Sequence, residues 1–135
     1  LKRHRKEGGA VAVELAFVLP LLLLLLIGIM EYGRVFNVQI SLTQAAREGA
    51  RHGAIYYDDA SLDVTSAALG AAPTLAGLGV AVTDDASACS PGGDVTVATS
   101  ISLSSMSGFL NLGIFGGPAL FPINLSGEGV MRCGG

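Results

Sequence analysis

Residues 15–30, LAFVLPLLLLLLIGIM, carry no charged side chain and are bounded by Glu14 and Glu31. As an α-helix this run is about 24 Å long, against a hydrocarbon core of about 30 Å. It is too apolar for the surface of a soluble domain and slightly too short for a bilayer. Extending it back to Ala10 gives a span of residues 10–30, which is long enough and puts Glu14 inside the membrane near one edge. A carboxylate at the bilayer centre costs up to about 3 kcal/mol, and less near an edge. Either Glu14 snorkels to the headgroups or is protonated, or it has a dedicated partner.

The charges are sorted along the chain. Lys2, Arg3, Arg5 and Lys6 crowd the start, whereas no Lys, Arg or His falls between His52 and Met131. Asp58, Asp59, Asp63, Asp84, Asp85, Asp94 and Glu128 lie in that interval. The positive-inside rule therefore puts residues 1–9, a basic leader, in the cytoplasm and the acidic body outside. An acidic body is a poor nucleic-acid binder, so no nucleic-acid partner is expected. A cleavable signal peptide is the competing reading of the same start. Its apolar region normally runs about 7–15 residues and ends at a small-residue cleavage site, neither of which fits here.

Beyond the span, Tyr32, Val35, Leu42, Ala45, Ala46, Gly49 and Gly53 recur at helical spacing. No proline falls between Leu21 and Ala72, so one helix is predicted from the membrane to about residue 54, with 31–54 as its exported continuation. Pairing of Glu31 with Arg34 and of Glu48 with His52 is expected along it. Ala45, Gly49 and Gly53 form a small-residue ridge suited to close helix packing, either against the chain's own sheet or between subunits. Pro20 removes one helical hydrogen bond inside the span, which predicts a kink or local melting there.

These residues resemble a known family. A basic leader, Gly9, four small or apolar residues, Glu14 and an apolar run repeat the processing site of type IV pilin-like proteins. Residues 5–54 resemble the TadE-like proteins of tight-adherence (Flp) pilus systems, most closely in GAVAVELAFVLPLLLLLLIGIMEYGR and LTQAAREGAR, and more weakly in GEGVMRC near the end. The resemblance implies a minor pilin or pseudopilin with a pilin-like fold in the bacterial cytoplasmic membrane. It further implies cleavage between Gly9 and Ala10 by an aspartic prepilin peptidase, and partners among other pilins, pseudopilins and the pilus assembly platform. The chemistry agrees. Cleavage creates an amino group one turn before Glu14, which can pair with that amine in its own chain or a neighbour's and offset the cost of burial.

Residues 55–135 read as a small extracytoplasmic α+β domain. Acidic N-cap candidates open a helix at about 59–71, which Pro73 and the following glycines end. Alternating β-branched residues near 78–85, 94–104 and 123–132 predict three antiparallel strands laid on the long helix. Between the last two strands, 104–122 is glycine-rich yet holds Phe109, Leu110, Leu112, Ile114, Phe115, Leu120 and Phe121. Such a segment either covers the sheet or docks a partner.

Cys89 and Cys133 are the only cysteines. In an exported body they are expected to form a disulfide joining the loop after the first strand to the end of the last. Nothing converges as a catalytic centre: the body has no His beyond His52 and no Lys, so no enzyme and no cofactor is expected. The aspartates match no calcium loop and read as caps or solvated residues, so no metal is expected either. Besides the pilus component, two readings stay open: an uncleaved single-pass envelope scaffold and a secreted binding domain.

Overall fold

The computed structural model describes residues 7–111 and 117–134. The basic Lys2, Arg3, Arg5 and Lys6 of the leader lie outside them, as do Leu112, Ile114 and Phe115.

Helix α1, Glu7–Tyr56, is a single element of 50 residues that continues through Pro20 without interruption. Its two halves live differently. Between Gly8 and Met30 every residue is exposed except Leu24, Ile27 and Gly28, which are half-buried. From Glu31 onward one stripe is buried: Glu31, Val38, Ser41, Leu42, Ala45, Ala46, Gly49, Ala50, Gly53 and Ala54. The stripe follows the helical repeat. The face differs from the expected one at its start, because Tyr32 is 60% exposed and Glu31 takes the inward position.

After α1 the chain makes a turn rather than continuing into helix. The Asp59 carboxylate accepts from the backbone N–H and hydroxyl of Ser61, and Asp59 N–H donates to the Tyr56 carbonyl. Helix α2 is therefore Val64–Gly70, shorter than the expected 59–71. Asp63 is its N-cap, accepting from Ser66 N–H at 2.9 Å. Asp58 and Asp59 do not cap it, since the preceding Asx turn has already fixed their backbone. Val64 and Ala68 point down onto α1. A 3-10 turn at Pro73–Leu75 follows and buries Leu75.

The expected three strands form one antiparallel sheet in the order β1 (Ala81–Asp84), β2 (Asp94–Leu103), β3 (Ile123–Arg132). In β2 the alternation is complete: Val95, Val97, Thr99, Ile101 and Leu103 are buried. They meet α1 and α2 in two apolar clusters. One is built on Leu42, Ala45, Ala68, Leu75 and Ile101, the other on Ala50, Ala54, Val64, Val95 and Val97. The result is the two-layer α+β arrangement expected from the pattern.

Strand β3 lies against α1 on two glycines. A Cβ on Gly127 would sit 2.6 Å from the Leu42 carbonyl carbon, and one on Gly129 would sit 2.5 Å from the Ala46 oxygen. Only glycine allows the strand backbone this close to the helix backbone. The buried Thr99 hydroxyl donates to the Leu42 carbonyl at 2.9 Å and pins the same crossing. Cys89 and Cys133 are joined in a disulfide that closes the far end of the sheet, as expected. There Gly134 N–H also donates to the Ala54 carbonyl.

Candidate functional site

Two regions carry the residues singled out in the sequence. The first is the start of α1. Gly9, Ala10 and Glu14 are all exposed there, on a helix whose apolar side chains Val11, Val13, Leu15 and Phe17 are exposed too. Gly9 lies within the first turn of α1, and a Cβ added at Gly8 or Gly9 would meet nothing within 4 Å. Glycine weakens a helix by about 1 kcal/mol relative to alanine, so two adjacent glycines make this turn easy to open. Pro20 follows with helix on both sides.

The small-residue ridge lies elsewhere and is covered within the chain. A Cβ on Gly49 would meet Ala68 at 3.1 Å and Val97 at 3.2 Å, and one on Gly53 would meet Ala86 at 3.2 Å. Ala45 is fully buried in the same seam. Of the two packing roles open to Ala45, Gly49 and Gly53, contact with the chain's own α2 and sheet is the one these distances describe.

The second region is the end of the apolar run. Glu31 is 2% exposed, and the β2–β3 connection closes over it. Its Oε1 accepts from the Ser105 hydroxyl at 2.7 Å and from both the N–H and the hydroxyl of Ser107 at 2.8 Å. Its Oε2 accepts from Met106 N–H at 3.2 Å. Burial opposes ionisation of this group. The donors from Ser107, Ser105 and Met106 together outweigh it and hold the carboxyl at about 2, below the ordinary 4.5.

Arg34 does not pair with Glu31 as the spacing suggested. Its guanidinium donates to the Ser104 carbonyl at 3.0 Å, so two residues one turn apart clasp Ser104–Ser107. The loop wins because it offers Glu31 four donors in fixed positions, where an exposed i,i+3 pair is worth a few tenths of a kcal/mol. Likewise Glu48 pairs with Arg51 at 2.9 Å rather than with His52, whose ring packs on Tyr56 at 4.7 Å. The clasp escaped the sequence reading. Its signal was the serine cluster Ser104, Ser105 and Ser107, which sits in a stretch with no charge of its own.

The loop also covers apolar surface. Phe121 is buried, Phe109 and Leu110 are half-buried, and Met106 and Leu120 are exposed. Tyr32, Val35, Leu110, Leu120, Phe121 and Ile123 enclose a cavity of about 50 Å³ where the loop meets α1. The aspartates act locally: Asp84 accepts from Ala86 N–H and Asp85 from Thr96 N–H. Hydrogen bonds from Ser61 and Ser66 hold Asp59 and Asp63 below the usual carboxylate range. Among the described residues no group of three or more His, Cys, Asp or Glu is placed to hold a metal.

The geometry defines a class: the described residues hold one candidate membrane span, continued without a break by the core helix of a small, disulfide-closed α+β domain. Residues 9–51 match the family model described as TadE-like protein, the family that the sequence resembles. The match begins at Gly9, includes Glu14 and Glu31, and ends at Arg51 within α1. It associates this part of the chain with Tad pilus components, a family that is not one of enzymes. No curated protein and no solved structure matches the chain.

Proposed function

We propose that this protein is a minor pilin or pseudopilin-like component of a tight-adherence type IV pilus system, assembled through its N-terminal helix. The carrying observation is the exposed Gly9, Ala10 and Glu14 at the head of a bare apolar helix, inside the residues that match the TadE-like family. In this reading residues 1–9 form a cytoplasmic leader, 10–30 cross the cytoplasmic membrane, and 31–54 carry the helix into the domain of residues 55–135 outside. A prepilin peptidase cuts between Gly9 and Ala10, at a turn that two glycines leave easy to unwind. The new amine pairs with Glu14 of its own chain or a neighbour's, which sets axial register and removes the cost of a lone carboxylate in lipid. Pro20 supplies a bendable point as the helix leaves the bilayer for the assembly platform.

Intact mass and N-terminal sequencing of protein from cells with and without the peptidase test this. A mature chain starting at Ala10 only when the peptidase is present supports the proposal. Retention of residues 1–9 points to the uncleaved scaffold, and a start well past residue 30 points to a secreted binding domain. Gly9→Ala should block processing, and Glu14→Ala should lower incorporation into pili. Normal processing and assembly of both variants would overturn the assignment.

A further inference from the structure

We infer that the described parts of the β2–β3 connection, residues 104–111 and 117–122, are a second lipid contact, which inserts Met106, Leu120 and the adjoining edge of Phe109 and Leu110 into the bilayer interface beside α1. The inference rests on the reading of residues 10–30 as a membrane span. Glu31 is the first residue after that span, and it holds Ser105, Met106 and Ser107 directly. Helical side chains lean toward the N-terminus, so the Glu31 carboxylate and the loop it grips lie over the last turn of the span. Leu24, Ile27 and Gly28 share that helix face, at i−7, i−4 and i−3 from Glu31, and they are the half-buried positions between Gly8 and Met30.

The chemistry of the loop matches that depth. No charged residue occurs from Val95 to Gly127, whereas Asp58, Asp59, Asp63, Asp84, Asp85, Asp94 and Arg132 lie toward the other end of the domain. Met106, bonded to Glu31, is 61% exposed, and Leu120, beside Tyr32 and Val35, is 55% exposed; Ile29 and Met30, which precede Glu31 on the helix, are bare too. Tyr32 and Phe36, 60% and 64% exposed, stand just outside, where aromatic side chains suit the headgroup region. Two backbone groups of the loop are satisfied from within, because the carboxylate of Glu31 takes the N–H groups of Met106 and Ser107 that lipid could not. An uncharged patch that adjoins a span, with the N–H groups of Met106 and Ser107 already paired, suits a lipid surface.

The chain has no tryptophan, so single-tryptophan variants report position without background. The full chain is reconstituted in nanodiscs of zwitterionic lipid with brominated or ordinary acyl chains, carrying Met106→Trp, Leu120→Trp, Phe17→Trp in the span, or Val130→Trp in β3. Brominated lipid should quench Phe17→Trp, Met106→Trp and Leu120→Trp to most of their emission and leave Val130→Trp unchanged. Quenching of Phe17→Trp with Met106→Trp and Leu120→Trp no more affected than Val130→Trp would overturn the loop contact and leave the span intact. Blue-shifted emission at 106 and 120 that ignores bromine would assign the patch to a protein partner and overturn it too. An unquenched Phe17→Trp would remove the span itself, and the inference with it. An intact Cys89–Cys133 disulfide on a non-reducing gel confirms that each variant has folded.

Discussion

Ser107 meets Glu31 twice, through its backbone N–H and its hydroxyl, each 2.8 Å from the same carboxylate oxygen and 76 positions away in the chain. This contact ties the β2–β3 connection to α1 at the point where the helix passes from bare to covered. With Arg34 on the Ser104 carbonyl, it makes two charged side chains of α1 hold a loop that has no charge of its own.

Replacing Glu31 tests that dependence. Glu31→Gln keeps an acceptor but loses the charge that strengthens these bonds, and should cost about 1 kcal/mol at neutral pH, the difference between charge-assisted and neutral hydrogen bonds. Glu31→Ala, which leaves the donors of Ser105, Met106 and Ser107 unmet, should cost more. The carboxyl ionises at about 2 in the folded chain against 4.5 ordinarily, so its contribution is complete above pH 4.5 and is lost as pH falls toward 2. Urea midpoints in detergent should therefore differ between wild type and Glu31→Gln at pH 6 and converge near pH 2. A gap that persists unchanged at pH 2 would show that the charge is not what holds the loop.

Gly127 and Gly129 are expected to tolerate no side chain. Gly129→Ala should destabilise the domain by about 1–3 kcal/mol or more, because the clash is with backbone and cannot be relieved by a rotamer change. Gly127→Ala should behave alike. Gly70→Ala, at a site with nothing within 4 Å of the added carbon, serves as the control and should be near neutral. Chemical denaturation of the three variants decides the matter.

The disulfide closes a loop of 44 residues, for which chain entropy suggests about 4 kcal/mol. Cys89→Ser with Cys133→Ser should lower the denaturation midpoint accordingly and loosen the end of the sheet where Gly134 meets Ala54. Hydrogen exchange at Cys133 and Gly134 should rise first. The span and the Glu31 clasp lie at the opposite end and should keep their protection.

Gly49 sits where α1, α2 and β2 meet. Gly49→Leu should displace α2 by forcing Ala68 and Val97 apart, whereas Phe36→Ala, at an exposed position on the same helix, should leave stability unchanged. Thermal melting distinguishes the two. Equal effects would mean that the ridge does not carry the packing described above.

Elements governed by local periodicity were legible in the chain. The apolar run, the unbroken helix beyond it and the alternating strands each declare themselves over neighbouring residues, and each has its counterpart in the structure; the disulfide was legible because the chain holds only two cysteines. The family match, residues 9–51, falls within α1. What local spacing could not reveal is partner choice at long range. Glu31 had Arg34 one turn away, yet its carboxylate turned to a serine loop more than seventy residues distant once β2 and β3 brought that loop alongside. Asp58 and Asp59 looked like helix caps until an Asx turn claimed the backbone and left the cap to Asp63. Nothing in the local pattern of β3 marks Gly127 and Gly129; they are necessary only because β3 presses against the backbone of Leu42 and Ala46. The ridge of Ala45, Gly49 and Gly53 allowed two uses, and folding spent it on α2 and the sheet. Periodicity determines what each segment can be, since it reflects forces acting within a turn or a pleat. Which charged and small residues meet depends on how the layers stack, and that is a property of the folded chain.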